Sequence, residues 1–140
     1  MKLLVTGCAG FIGSHLVDAL LKRSDKVVGV DNFDPFYSPK LKRAFIERAL
    51  RSDRFTLVEG DILDEALMER AFSEHRPEVV AHLAARAGVR DSIENPELYS
   101  RVNIEGTALL LRLSVKYGVK KFVFASTSAV YGARDSIPFR

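Results

Sequence analysis

Cysteine is nearly absent: Cys8 is the only one in 140 residues. An internal disulfide and any cysteine-rich metal site are therefore excluded, and a lone thiol suits a reducing compartment such as the cytoplasm. No apolar run approaches the ~20 residues needed to span a bilayer. The beginning of the chain, where Val5 is followed by Thr6 and a cluster of glycines, lacks the long apolar stretch of a secretory signal. Charge of one sign is lacking too. Lys and Arg number 21 against 18 Asp and Glu, and the two are interleaved, which gives no reason to expect a nucleic-acid or membrane partner. No repeat, low-complexity tract or linker interrupts the chain, and no metal site is expected. What is present, 47% hydrophobic and 28% charged residues, is the composition of one globular domain with a real core.

Apolar runs alternate with amphipathic stretches in a regular order. Runs at 2–6, 26–31, 55–58, 78–83 and 121–125 predict five strands, near-continuously apolar and so buried on both faces. Ile12, Leu16, Ala19 and Leu20 recur at helical spacing up to about Arg23. Leu41, Phe45 and Ala49 mark one face of a helix over 40–50. Asp64 can cap a helix carrying Leu67, Met68, Ala71 and Phe72. Asn95 and Pro96 read as the N-cap and first residue of a long helix to about Tyr117, where Gly118 stops it. Strands alternating with helices predict an α/β fold, a doubly wound parallel sheet of five strands with right-handed crossovers, the Rossmann arrangement.

Between the first strand and the first helix the sequence reads T-G-C-A-G-F-I-G, with Gly7, Gly10 and Gly13 in a G-x-x-G-x-x-G arrangement. A tight turn needs a residue without Cβ, and a pyrophosphate can approach the backbone only where no side chain intervenes. The last glycine lets helix and strand pack closely, while free N–H groups at the helix start attract phosphate. A lone glycine triad is weak evidence, but its strand–turn–helix setting and a matching acid strengthen it. The acid is Asp31, 18 positions after Gly13 at the end of the second strand. A carboxylate there accepts hydrogen bonds from an adenosine ribose and repels a 2′-phosphate, which favours NAD over NADP. Its rival role is to cap the strand and start a turn. Asp61 and Ile62 read as neighbours of adenine. No G-x-x-x-x-G-K-[ST] phosphate loop occurs. An S-adenosylmethionine-dependent methyltransferase would share these features, so glycine spacing alone leaves that alternative open.

Later segments are more specific. T-G-C-A-G-F-I-G-S-H, V-D-N-F, G-D-I, H-L-A-A and S-T-S-A-V-Y-G, spread over 2–132, resemble the extended short-chain dehydrogenase/reductase superfamily. These are the NAD-dependent nucleotide-sugar epimerases and dehydratases. The stretches D-N-F-D-P-F-Y-S-P-K-L-K-R at 31–43 and L-A-A-R-A-G-V-R-D-S-I-E-N-P at 83–96 look most like UDP-glucuronate 4-epimerases. The resemblance implies that Gly7, Gly10, Phe11, Ile12 and Gly13 line the pyrophosphate site and that Asp31 and Asn32 meet the ribose. It places Asp61 and Ile62 beside adenine, and Leu83, Ala84 and Ala85 under the nicotinamide half. Ser126 joins the cofactor set, and Asn103 anchors the hydrogen-bond network of the site. Strand-end packing would equally explain Leu83 to Ala85, and an ordinary buried amide would explain Asn103.

For the reaction, the resemblance implies NAD taking hydride from C4 of a UDP-sugar and returning it to the opposite face of the ketone. A tyrosine held as phenolate by a lysine would act as base, helped by a hydroxyl, here Thr127. Dehydratases carry an Asp-Glu pair after that threonine; Ser128 and Ala129 stand here instead, which favours epimerisation. The Tyr-x-x-x-Lys pair is expected beyond Arg140, so residues 1–140 read as an incomplete NAD-binding domain lacking the catalytic helix and the C-terminal substrate domain. Tyr117 and Lys121 have the right spacing, but Gly118 separates them; Tyr131 has Asp135 in the lysine position. His15, His75 and His82 are scattered and read as packing or surface residues. Arg86 and Arg90 could face an anionic substrate or simply solvent. A protein of these 140 residues is expected to hold NAD without turning over substrate. A non-catalytic NAD-binding module or sensor remains the alternative. Apolar surface around Phe122, Phe124 and the long helix at 96–117 leads us to expect self-association through that helix and the exposed sheet edge.

Overall fold

Alternation with period two puts Leu3 and Val5 on one face of the first strand and Leu4 on the other, and all three are buried. The computed structural model describes residues 1–132 and 138. In chain order the main elements are β1 (Lys2–Thr6), α1 (Phe11–Lys22), β2 (Lys26–Asp31), α2 (Pro39–Leu50), β3 (Phe55–Glu59), α3 (Glu65–His75) and β4 (Val79–His82). Short helices α4 (Val89–Glu94) and α5 (Pro96–Ser100) follow, then a π turn (Arg101–Glu105), α6 (Gly106–Lys116), β5 (Lys121–Phe124) and a 3₁₀ turn (Ser128–Tyr131). The five strands form one parallel sheet in the order β3-β2-β1-β4-β5. Leu4 of β1 stands between Val28 and Val80.

Helices cover both faces of the sheet. Leu3, Val5, Val27 and Ala81 pack with Val17, Leu20 and Leu21 of α1 and Ala49 of α2. On the other face Leu4, Val30 and Val80 pack with Met68, Ala71 and Phe72 of α3 and Leu110 and Leu113 of α6. Each fully buried Leu, Val or Phe contributes roughly 1.5–3 kcal/mol, so the two helical layers together hold the sheet between them. The chain leaves β1 first toward β2 and β3, then returns to its other side for β4 and β5. The carboxyl ends of β1 and β4 therefore diverge into a crevice, where open α/β sheets place their ligands.

Four features depart from the sequence expectations. The inward face of α2 is Lys42, Ile46 and Ala49, whereas Leu41 is exposed and Phe45 half-buried. The helix is turned by one residue because Lys42 faces Asp31 across the end of β2. Asn95 makes no cap. Its Nδ2 donates to Asp91 Oδ1 at 3.0 Å, drawn back by the unanticipated α4, so it serves as a joint between two short helices. The long helix is three pieces, with the π turn inserting an extra residue where Asn103 reaches sideways. β5 also differs from a strand buried on both faces: Phe122 packs into the core, but Val123 and Phe124 are exposed. By contrast Asp64 caps α3 as expected, accepting from Leu67 N–H at 2.9 Å.

Candidate functional site

Gly7 leaves β1 with φ of +69°, and a Cβ there would lie 2.8 Å from the backbone nitrogen of Ala84. Gly13 sits closer still: its Cβ would fall 2.0 Å from the Gly7 carbonyl oxygen. The turn thus folds onto the start of α1 with no space for side chains. It is tied down by Gly7 N–H to the Val30 carbonyl at 2.8 Å and Gly10 N–H to the Gly7 carbonyl at 3.1 Å. The first bond inside α1 runs from Ser14 N–H to the Gly10 carbonyl. No side chain caps this helix and its first turn holds no acid, so its N-terminal N–H groups are left for an anion. Ahead of them opens a cleft of about 490 Å³.

At the end of β2, Asp31 accepts from Ala9 N–H at 3.0 Å through Oδ2 and from Phe33 N–H at 2.9 Å through Oδ1. It starts the turn, holding Phe33 at φ of +52°, and it lines the cleft at the same time. Of the two roles posed for it, these bonds fill the turn-forming one, and the carboxylate also borders the cleft. Asn32 donates to Asp61 Oδ2 at 2.8 Å, while Asp61 Oδ1 accepts from Leu63 N–H at 2.9 Å. This fixes Asp61 and Ile62 on the same wall.

The opposite wall is the chain after β4. Leu83 N–H and Ala84 N–H both donate to Thr6 Oγ1 at 3.2 Å. Thr6 Oγ1 also lies 2.7 Å from His82 Nδ1, and His82 Nε2 lies 2.9 Å from Thr107 Oγ1, which donates to the Asn103 carbonyl at 2.7 Å. Counting donors settles the tautomer. Thr107 spends its one proton on Asn103, so His82 Nε2 must carry a proton and Nδ1 must accept from Thr6. Burial, with a neutral hydroxyl on each ring nitrogen, pushes the imidazole pKa down to about 4. Asn103 then grips the next stretch, accepting from Arg86 N–H at 2.8 Å and donating to the Arg86 carbonyl at 3.0 Å.

Twelve of the residues singled out in the sequence line this cleft: Gly7, Gly10, Phe11, Ile12, Gly13, Asp31, Asn32, Asp61, Ile62, Leu83, Ala84 and Ala85. Asn103 stands behind the wall as a clamp on its backbone. Ser126 and Thr127 are exposed and lie just past Ala125, the last cleft-lining residue of that segment. Tyr117 bonds Glu69, and Lys121 opens β5, so these two do not share a helical face. Asp135 lies outside the described residues. Arg86 lines the cleft and pairs with Asp34 Oδ1 at 2.8 Å, whereas Arg90 is exposed.

The sequence reading did not single out Asp34, Phe36, Tyr37 and Lys42, which the structure also places on the cleft. Phe36 lies under the Arg86 guanidinium at 5.3 Å. Burial and the nearby Asp31 charge raise the Tyr37 pKa, while the Phe11 N–H at the start of α1 pulls it back. The i, i+4, i+7 pattern of Lys42, Ile46 and Ala49 was the available signal for the lysine.

The sequence profile of GDP-mannose 4,6 dehydratase matches residues 4–140. The chain belongs to that family. Within the dehydratase family's wider range it is 45% identical over 141 residues to UDP-glucuronate 4-epimerase 1 of Arabidopsis thaliana, covering 99% of this chain and 32% of that protein. The crystal structure of UDP-glucuronic acid 4-epimerase from Bacillus cereus with UDP-glucuronic acid and NAD superposes with a TM-score of 0.89 at 40% identity. It matches 97% of this chain and 43% of its own. UDP-glucose 4-epimerase of Thermotoga maritima with UDP-glucose gives 0.83 at 43% identity, over 98% of this chain and 41% of that one. The chain thus spans well under half the length of these relatives.

Proposed function

We propose that this chain is the NAD-binding portion of a nucleotide-sugar 4-epimerase of the UDP-glucuronate 4-epimerase type. One observation carries the reading: the glycine turn leaves no room for a Cβ at Gly7 or Gly13, the uncapped start of α1 borders the cleft, and Asp31 lines the same cleft. That is a cradle for a pyrophosphate with a ribose acceptor beside it. Relatives at 40–45% identity whose names specify 4-epimerases, one crystallised with NAD, support the same reading.

The residues fit the group. Phe11, Ile12 and Gly13 would meet the pyrophosphate, Asp31 and Asn32 the ribose, Asp61 and Ile62 the adenine, and Leu83 to Ala85 the nicotinamide half. When bound, NAD supplies a hydride acceptor for the sugar C4 and the same hydride for its return. The chain's own residues orient it and shield it. Thr6, His82, Thr107 and Asn103 fix the backbone from Leu83 to Arg86 without a mobile proton. Thr127, next to the cleft end of β5, would provide a hydroxyl for the sugar, and Ser126 a further cofactor contact. Ser128 and Ala129 after it offer no acid for dehydration. Tyr117 and Lys121 have the spacing of the tyrosine–lysine pair that the resemblance requires but share no helix, so these 140 residues by themselves are proposed to bind NAD without epimerising a sugar.

We further infer one cofactor domain over 1–140 working with a substrate domain outside it, in the cytoplasm, where Cys8 stays reduced. Among the described residues no helix is long and apolar enough to cross a membrane. Ile104, Leu111 and Val115, with Val123 and Phe124 of β5, are exposed apolar side chains, and we propose that self-association covers them. Calorimetric titration with NAD, NADP and S-adenosylmethionine tests the binding. NAD is expected to bind tightest, and Gly13→Ala to abolish binding because its Cβ meets backbone. Tighter binding of S-adenosylmethionine would refute the reading, as would turnover of a UDP-sugar by the 140 residues.

A further inference from the structure

Lys42 is a lysine where a surface helix would ordinarily bury an apolar side chain. It is 7% exposed, on the inward face of α2, and it lines the cleft. An ammonium carries three N–H donors, and burying it without acceptors is costly. Its partners among the described residues fall short of that need. Asp31 Oδ1 is 3.9 Å away, an ion-pair distance but beyond hydrogen-bond reach, and the other contact is the Tyr37 ring, with Nζ 4.7 Å from its centroid. Asp31 meanwhile uses one lone pair of each oxygen on Ala9 and Phe33 N–H and keeps others for the cleft. The gap between Nζ and Oδ1 is therefore bounded by a donor on one side and an acceptor on the other. A hydroxyl set to the side of that gap, about 2.8 Å from each atom, would accept from Lys42 and donate to Asp31.

Resting on the dinucleotide reading above, we propose that Lys42 is the residue that sets how the cleft discriminates at the 2′-oxygen of the bound adenosine. In the native protein its ammonium donates to the ribose hydroxyl that Asp31 accepts. Asp31 repels a 2′-phosphate, but the cation such a group needs already stands beside it. The preference for NAD is then a balance between two adjacent side chains of opposite charge. Removing the carboxylate charge leaves Lys42 as a ready partner for a phosphate of charge about −1.5 to −2. One substitution is enough to tip the preference.

The test uses ADP, NAD and 2′,5′-ADP as probes, titrated calorimetrically into the full chain and its variants, with thermal unfolding followed in parallel. Lys42→Met, which keeps the buried stem, should weaken NAD about tenfold, the value of one charge-assisted hydrogen bond. Asp31→Asn should bind 2′,5′-ADP at least tenfold more tightly than the native chain, and Asp31→Asn with Lys42→Met should lose that gain. Unchanged NAD binding by Lys42→Met would overturn the proposal, as would equal 2′,5′-ADP binding by the single and double variants. Native protein that binds neither NAD nor ADP would sink the dinucleotide reading itself, a separate result. Asp31 also holds two backbone N–H groups, so its variant risks unfolding. A measurement on the native chain covers that case: saturating NAD should protect Lys42 from acylation, read by mass spectrometry, and leave the exposed Lys40 reactive. Equal acylation of Lys42 with and without NAD would refute the role.

Discussion

His82 is 1% exposed and held at both ring nitrogens by threonine hydroxyls, so charging it breaks the Thr6 bond and buries a cation. Its pKa lies at about 4 in the fold against an ordinary 6.5. The unfolded chain therefore binds a proton that the folded chain refuses, and stability falls as pH drops from about 6.5 to about 4. Integrated over that window the loss approaches roughly 3 kcal/mol, and above pH 6.5 the residue makes stability independent of pH. Urea unfolding of the native chain and of His82→Gln at pH 7 and pH 4.5 measures it. The native chain should lose far more stability between the two than the variant; parallel losses would show that the histidine is not the sensitive group. Sequence alone placed His82 among packing or surface residues, and the fold makes it a buried one. Its partners were illegible there, because Thr6 and Thr107 lie 76 and 25 residues away. The glycines and Asp31 were legible because backbone conformation and charge act where they stand in the chain. Lys42 was not, since its burial depends on which way α2 is turned.

At the level of elements, two caps read from the same residue chemistry behave differently. Asp64 accepts from Leu67 N–H at 2.9 Å and begins α3. Asn95 has the right side chain and a following proline but spends its amide on Asp91. Asp64→Ala should cost about 1 kcal/mol in urea unfolding, and Asn95→Ala a few tenths. Equal costs would contradict the geometry. Strands and helix order were legible from apolar alternation, because burial on a parallel sheet leaves that imprint directly. The π turn was not, since nothing in R-V-N-I-E marks an inserted residue until Asn103 is seen to clamp Arg86 from it. A tertiary contact, not a local preference, decides that break.

For the molecule as a whole, the two faces of the sheet are unequally finished around β5. Phe124 is 54% exposed and Val115 of α6 is 84% exposed, on neighbouring elements. Such a surface favours pairing with another copy. Sedimentation velocity over a hundredfold range of concentration should show mass-action association, and Val115→Lys should shift it toward monomer without changing NAD affinity. A single monomeric species throughout would remove the proposal. The β3-β2-β1-β4-β5 order also followed from the sequence only in part. Parallel pairing and crossover hand could be expected, but the reversal at β1 is fixed by which strands pair in space.

That reversal bears on how the protein is made. β1 leaves the ribosome well before β4, yet half of its hydrogen-bonding edge waits for that strand. The glycine turn waits longer, since Gly7 is seated against the backbone of Ala84 and Thr6 receives the N–H groups of Leu83 and Ala84. A nascent chain can close one wall of the cleft early, but the phosphate cradle is completed only once residues 83–84, far later in the chain, are in place.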